Sequence, residues 1–65
     1  SFHYLRIDPY FMRDFSETDK AAVIVRSMID FAHGMNMHVI ATGVETPEAE
    51  AWLHGIDCDY IQFNN

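Results

Sequence analysis

Arg6, Thr42, Glu45 and Gln62 are the residues of this chain whose types and positions could share a chemical site. Arg6 brings a permanent positive charge suited to a phosphate or another anionic group. Thr42 and Gln62 bring a hydroxyl and an amide that can donate and accept hydrogen bonds. Strand alternation places Arg6, Thr42 and Gln62 on one sheet face. Glu45 follows in the loop beyond the second strand, and in α/β folds the loop after a parallel strand is where ligand chemistry collects. Each of these residues also has a structural reading. Arg6 could pair with Asp8 or another interior carboxylate, and Gln62 could be a buried amide satisfying backbone groups. Glu45 could simply favour the start of the next helix, as the cluster Glu45, Glu48 and Glu50 would at a positive helix end. The histidines His3, His33, His38 and His54 fall on different elements without metal-ligand spacing, so no metal site is expected. Cys58 reads as a small buried hydrophobe.

The elements that must position these groups follow from pattern. Phe2 to Asp8 reads as a strand, with Leu5 and Ile7 on one face, Tyr4, Arg6 and Asp8 on the other, and Pro9 as its stop. Pro9 to Phe15 is an aromatic-rich connection, with Tyr10 and Phe11 expected to pack under the sheet edge. Ser16-Glu-Thr-Asp19 resembles a capping box. Ala21, Ile24, Val25, Met28, Ile29, Phe31, Ala32 and Met35 then recur at helical spacing. They predict an amphipathic helix from about Glu17 to His33. Its stripe Met28, Phe31, Ala32 and Met35 is read as core, with Lys20, Arg26 and Asp30 on the exposed side. Gly34 is the expected C-terminal stop.

His38 opens the stretch around which the rest is arranged. Val39-Ile-Ala41 is a buried strand, and Gly43 lies in a sharp turn needing positive φ or close approach. Thr46 is an N-cap with Pro47 at the first helical position. A second helix runs from Pro47 to about His54, burying Ala49, Trp52 and Leu53, and ends at Gly55. Asp59 to Phe63 is a third strand, and Asn64-Asn65 trails off.

The order is therefore β-α-β-α-β, an α/β fold with a parallel sheet. Right-handed crossovers put both helices on one sheet face. The other face, carrying Tyr4, Arg6, Thr42, Tyr60 and Gln62, has no cover, and both sheet edges are open. That geometry reads as a slice of a larger barrel or doubly wound sheet. The chain has 65 residues and a net charge of −6, which argues against a nucleic-acid polymer as partner but leaves room for one phosphate-bearing ligand on a local cation. No apolar run reaches the length of a membrane span. The missing initiator Met points to a processed chain or a piece of a longer one. A single cysteine fits a reducing compartment.

Leu5-Arg-Ile-Asp8, Ala32-His-Gly34, Val39-Ile-Ala-Thr-Gly-Val-Glu-Thr46 and Asp57-Cys-Asp-Tyr-Ile-Gln62, in this order and spacing, closely resemble the last part of an EAL domain. That family comprises bacterial cyclic di-GMP phosphodiesterases and their inactive relatives. The resemblance implies residues 1–65 as the C-terminal fragment of an EAL-type barrel: the last three strands of a TIM-like (β/α)8 fold of ~250 residues. In the family, two divalent cations, Mg²⁺ or Mn²⁺, polarise the phosphodiester and activate a water. Most metal ligands come from earlier strands, so none is expected on this chain alone. The resemblance implies a catalytic lysine at position 6, a general-base glutamate at 42, a supporting glutamate at 45 and a ligand-contacting glutamine at 62.

Here Arg6 and Thr42 depart from that pattern, whereas Glu45 and Gln62 keep it. A threonine hydroxyl cannot take and hold a proton near neutral pH. Phe63 and Asp57 stand where glycines are usual, and Phe63 is expected to crowd the barrel mouth. The expected function is a catalytically degraded cyclic di-GMP receptor or interaction module, with Arg6 and Gln62 as ligand contacts. One alternative is an active phosphodiesterase tolerating Arg6 and Thr42, and another is an autonomous βαβαβ piece that associates with itself or another chain. The implied partners are cyclic di-GMP and the remainder of the barrel or another chain, with a homo-oligomer possible and no membrane contact by this segment. The implied setting is the bacterial cytoplasm, in a protein that could itself be membrane-attached.

Overall fold

A computed structural model of the chain describes residues 2–64; Asn65, in the trailing end, lies outside them. The elements are β1 (Tyr4–Ile7), a 3-10 turn (Pro9–Met12), α1 (Lys20–Gly34), β2 (His38–Val44), α2 (Pro47–Gly55) and β3 (Tyr60–Phe63). The strands form one parallel sheet in the order β1-β2-β3. Arg6 is in register with Ile40, and Ile40 with Tyr60.

One sheet face carries the core. Ile7, Val39, Ala41 and Val44 pack with Val25, Ile29 and Ala32 of α1 and with Ala49 and Leu53 of α2. Both helices therefore cover the same face. Each large aliphatic side chain fully withdrawn from water there contributes about 1.5–3 kcal/mol. The opposite face is open, with Tyr4 and Tyr60 each 50% exposed and Arg6 and Gln62 exposed between them. No helix among the described residues is long and apolar enough to cross a membrane.

Local chemistry explains where the elements stop, and it corrects several expectations. α1 begins at Lys20, three residues later than expected, because Asp19 rather than Ser16 is its N-cap. Half of the capping box survives, as the Asp19 carboxylate accepts the Ser16 N–H at 3.1 Å. α1 does stop at Gly34, but the glycine is itself helical and Asn36 takes the left-handed conformation at φ 59. The Met37 N–H then reaches Ala32 O at 2.8 Å and the Asn36 N–H reaches His33 O at 3.0 Å, a Schellman closure. α2 closes in the same way on Asp57, at φ 65, with Cys58 N–H on Leu53 O at 3.0 Å. Asp57 thus occupies a left-handed backbone position that glycine fills at lower cost.

Thr46 caps α2 as expected, accepting the Ala49 N–H at 3.1 Å. In the connection after β1, Phe11 packs against the core, but Tyr10 does not, being 70% exposed. Ile24, Phe31 and Met35 are likewise exposed rather than core, and Ala22 is buried instead. Trp52 is only half-buried, and β3 starts one residue late, at Tyr60.

Candidate functional site

The β2 strand is longer than its apolar run implies, extending through Thr42 and Gly43 to Val44. Gly43 does adopt positive φ, at +73°, but as part of a bulge inside the strand rather than in a turn. Ala41 pairs with Ile61 and Val44 with Phe63, so Thr42 and Gly43 together stand opposite Gln62. The bulge also lets the chain after β1 press onto the strand. A Cβ built on Gly43 would lie 2.5 Å from Pro9 Cβ and 2.8 Å from Pro9 Cα.

This corner decides where Thr42 goes. Alternation alone places it on the open face, yet it is only 2% exposed. Its hydroxyl donates to Ile7 O at 2.8 Å, across the end of the β1–β2 pair. The group that resemblance puts at the reacting water is therefore turned sideways into the sheet.

Arg6 and Gln62 sit on the open face, on the strands either side of β2, roughly 10 Å apart at two strand spacings. Among the described residues Arg6 forms no ion pair; the Asp8 carboxylate instead accepts the Tyr10 N–H at 2.8 Å. Glu45 lies at the C-terminal end of the sheet and holds two other segments there. Its Oε1 accepts the Asp14 N–H at 3.1 Å and its Oε2 the Asn64 side-chain amide at 3.5 Å. Asp14 has positive φ, at 50°, so this contact fixes a strained turn in the connection after β1. Phe63, beside this end, is 46% exposed.

Sequence spacing missed one cluster altogether. His33 from the end of α1 and His38 from the start of β2 converge on Asp59, immediately before β3. The His33 Nε2 lies 2.8 Å from Asp59 Oδ2 and the His38 Nδ1 3.4 Å from Oδ1, while the Val39 N–H also donates to Oδ2 at 2.8 Å. Three separate elements are pinned at the N-terminal end of the sheet, away from Glu45. The signal was hidden because a carboxylate between two distant histidines has no periodicity. Burial pushes the Asp59 carboxyl up, but the bonds from His33, Val39 and His38 outweigh it and hold the group below its ordinary value.

A depressed carboxylate stabilises the fold above its unfolded pKa of 3.8, and that contribution disappears as pH falls through the lower folded value. Asp59→Asn should cost roughly 1–2 kcal/mol near neutrality, the scale of hydrogen bonds to a charged group. The gap between the two proteins in denaturant midpoint should close only below pH 3.8. A gap that persisted undiminished in stronger acid would refute the linkage. Cys58, by contrast, is buried and its thiol is pushed up by that burial, so it is no reactive thiolate.

No group of three or more His, Cys, Asp and Glu side chains among the described residues is disposed to hold a metal ion. The residues present thus do not by themselves fit a divalent cation.

The EAL domain model matches residues 1–62. The chain belongs to the EAL domain family. The EAL segment is 36% identical over 58 residues to the probable cyclic di-GMP phosphodiesterase PdeA of Escherichia coli, covering 89% of this chain and 8% of that protein. It is also 36% identical over 58 residues to the biofilm architecture maintenance protein MbaA of Vibrio cholerae, covering 89% of this chain and 7% of that one. The solved EAL enzyme Bd1971, in its cAMP-bound form, superposes with a TM-score of 0.86 at 31% identity. That match covers 94% of this chain and 17% of the enzyme. The chain therefore spans less than a tenth of the curated relatives' length, and its parallel βαβαβ unit corresponds to one part of an EAL enzyme's TIM-like barrel.

Proposed function

We propose that residues 1–65 are the C-terminal part of an EAL barrel that serves as a cyclic di-GMP receptor or interaction module without phosphodiesterase turnover. The observation that carries this reading is Thr42: a non-basic side chain, 2% exposed, with its hydroxyl committed to Ile7 O at 2.8 Å. Such a group neither carries charge nor accepts a proton from water at neutral pH. Recognition is a lesser demand than hydrolysis, and the residues for it remain. The Arg6 guanidinium offers a planar fork to a phosphate. Gln62 offers an amide on the same open face, and Glu45 holds together the loops around the strand ends. The divalent cations that the family uses would depend on residues outside this segment. The bacterial cytoplasm, where cyclic di-GMP is made, is the compartment this reading requires.

The competing reading, an active phosphodiesterase, draws on the retained Glu45 and Gln62. Binding separates the receptor from a pure interaction module. Titration calorimetry of the complete protein should show cyclic di-GMP binding. Gln62→Ala should weaken that binding by ~1–2 kcal/mol, about 5- to 30-fold, the order of one lost hydrogen bond to a buried or charged group. Absence of any binding by the unmodified protein would leave only the interaction module.

A further inference from the structure

Tyr10 is the most exposed large aromatic or aliphatic side chain among the described residues, at 70%. Its neighbours in the 3-10 turn go the other way: Met12 is fully buried and Phe11 packs against the core. The turn itself is firmly seated. The Asp8 carboxylate accepts the Tyr10 N–H at 2.8 Å, and the Phe11 N–H reaches Asp8 O at 3.1 Å. Pro9 lies against Gly43, so the turn folds over the C-terminal end of β2, the middle strand. The Phe11 ring meets the Tyr10 ring at right angles, with centroids 5.3 Å apart. In either sense of such a T-shaped pair, at least one face of the tyrosine is left free by its partner. A single exposed aromatic needs no functional reason. This one, however, is held in place by its own capped backbone and by a ring anchored in the core.

We propose that Tyr10 is a stacking platform for one guanine base of cyclic di-GMP in the complete protein. The inference deepens the receptor reading and rests on it. Tyr10 stands at the C-terminal end of the parallel strands, where barrel folds bind their ligands. Arg6 is four residues back along the same chain, so the two Cα atoms lie at most ~14 Å apart. A cyclic dinucleotide carries its bases on either side of a ring that holds two phosphates. A phosphate on the Arg6 guanidinium therefore leaves a base free to extend outward from the strand ends. The base is flat and has a π-face that an aromatic ring matches, so stacking asks for no further hydrogen bond from this chain. Tyrosine suits the role because only two χ angles must be fixed to present a large contact area. The segment's net charge of −6 works against phosphates in general, and an uncharged contact to the base adds affinity without a second cation. The rival occupant is a part of the protein outside the described residues packed over the ring, and it predicts a different result.

The test uses the complete protein, unmodified and as Tyr10→Phe, Tyr10→Ala and Tyr10→Trp, with cyclic di-GMP as the probe in titration calorimetry. Tyr10→Phe keeps the ring and should bind within ~2-fold of the unmodified protein. Tyr10→Ala should weaken binding about 5- to 150-fold, the range for one lost base-stacking contact. Its melting temperature without ligand should shift by less than ~2 °C, since the ring is mostly in water. Tyr10→Trp should bind no more weakly than Tyr10→Phe, and the indole emission it adds should be quenched at saturation, as a stacked ring requires. Equal affinities for Tyr10→Ala and the unmodified protein, with Gln62→Ala still weakened, would overturn this proposal and leave the receptor reading standing. A melting temperature lowered by ~5 °C or more in Tyr10→Ala would assign the ring to packing within the protein and overturn the proposal even if binding fell. Absence of any binding by the unmodified protein would remove the receptor reading and this proposal together.

Discussion

Replacing Gly43 by alanine is expected to destabilise the complete protein by about 2–5 kcal/mol, from two additive causes. At φ +73 an L-residue pays ~1–2 kcal/mol that glycine does not. The added methyl would also sit 2.5 Å from Pro9 Cβ and 2.8 Å from Pro9 Cα. Neither atom belongs to a flexible side chain, so relief requires moving the backbone after β1, and overpacking of this kind costs ~1–3 kcal/mol. Gly34→Ala is the control. Nothing lies within 4 Å of a Cβ there and the residue is helical, so the change should be neutral or stabilising by up to ~1 kcal/mol. Chemical denaturation of both variants decides the matter. Equal midpoints for the two would mean that the Gly43–Pro9 contact does not constrain the corner.

The same corner shows how far the sequence could be read. The alternation Leu5/Ile7 against Tyr4/Arg6 and the apolar run Val39–Ala41 were enough for a parallel βαβαβ order. A parallel sheet with cover on one face pointed to a larger barrel. Thr46-Pro47 marked the start of α2 to the residue, because a hydroxyl cap followed by proline is a local signal. Other features depend on contacts that no local pattern encodes. The helices do end at Gly34 and Gly55, but Asn36 and Asp57 take the left-handed positions beyond them, since polar residues tolerate that conformation when a Schellman closure rewards it.

Helical periodicity likewise does not say which apolar positions of α1 face the sheet, and Ile24, Phe31 and Met35 are exposed. Counting them as core merged two flanks of α1 into a single face. At the candidate site, the pattern placed Arg6 and Gln62 on the open face but did not anticipate the burial of Thr42. A bulge of one residue at Gly43 breaks the alternation on which that placement depended. The His33–Asp59–His38 cluster was invisible for a similar reason, as it joins three elements at a point where only folding brings them together.

Thr42 carries the largest expected effect on activity. A positioned general base contributes ~10²–10⁴-fold to a hydrolytic step, and the threonine supplies neither basicity nor charge. Arg6 can neutralise phosphate charge, but an unactivated water remains a weak nucleophile. Its guanidinium is also wider than the lysine ammonium that the resemblance implies at position 6. Introducing a carboxylate at position 42 sacrifices the 2.8 Å bond to Ile7 O, worth about 1 kcal/mol. In return it offers a proton acceptor on β2, the strand between those that carry Arg6 and Gln62. The decisive measurement is cyclic di-GMP turnover by the complete protein, supplied with Mg²⁺ or Mn²⁺, for the unmodified chain, Thr42→Glu and Arg6→Lys/Thr42→Glu. The account predicts that the unmodified protein is at least ~10²-fold slower than the Thr42→Glu variant, with the double variant at least as active as the single one. Robust turnover by the unmodified protein, unchanged by Thr42→Glu, would contradict it.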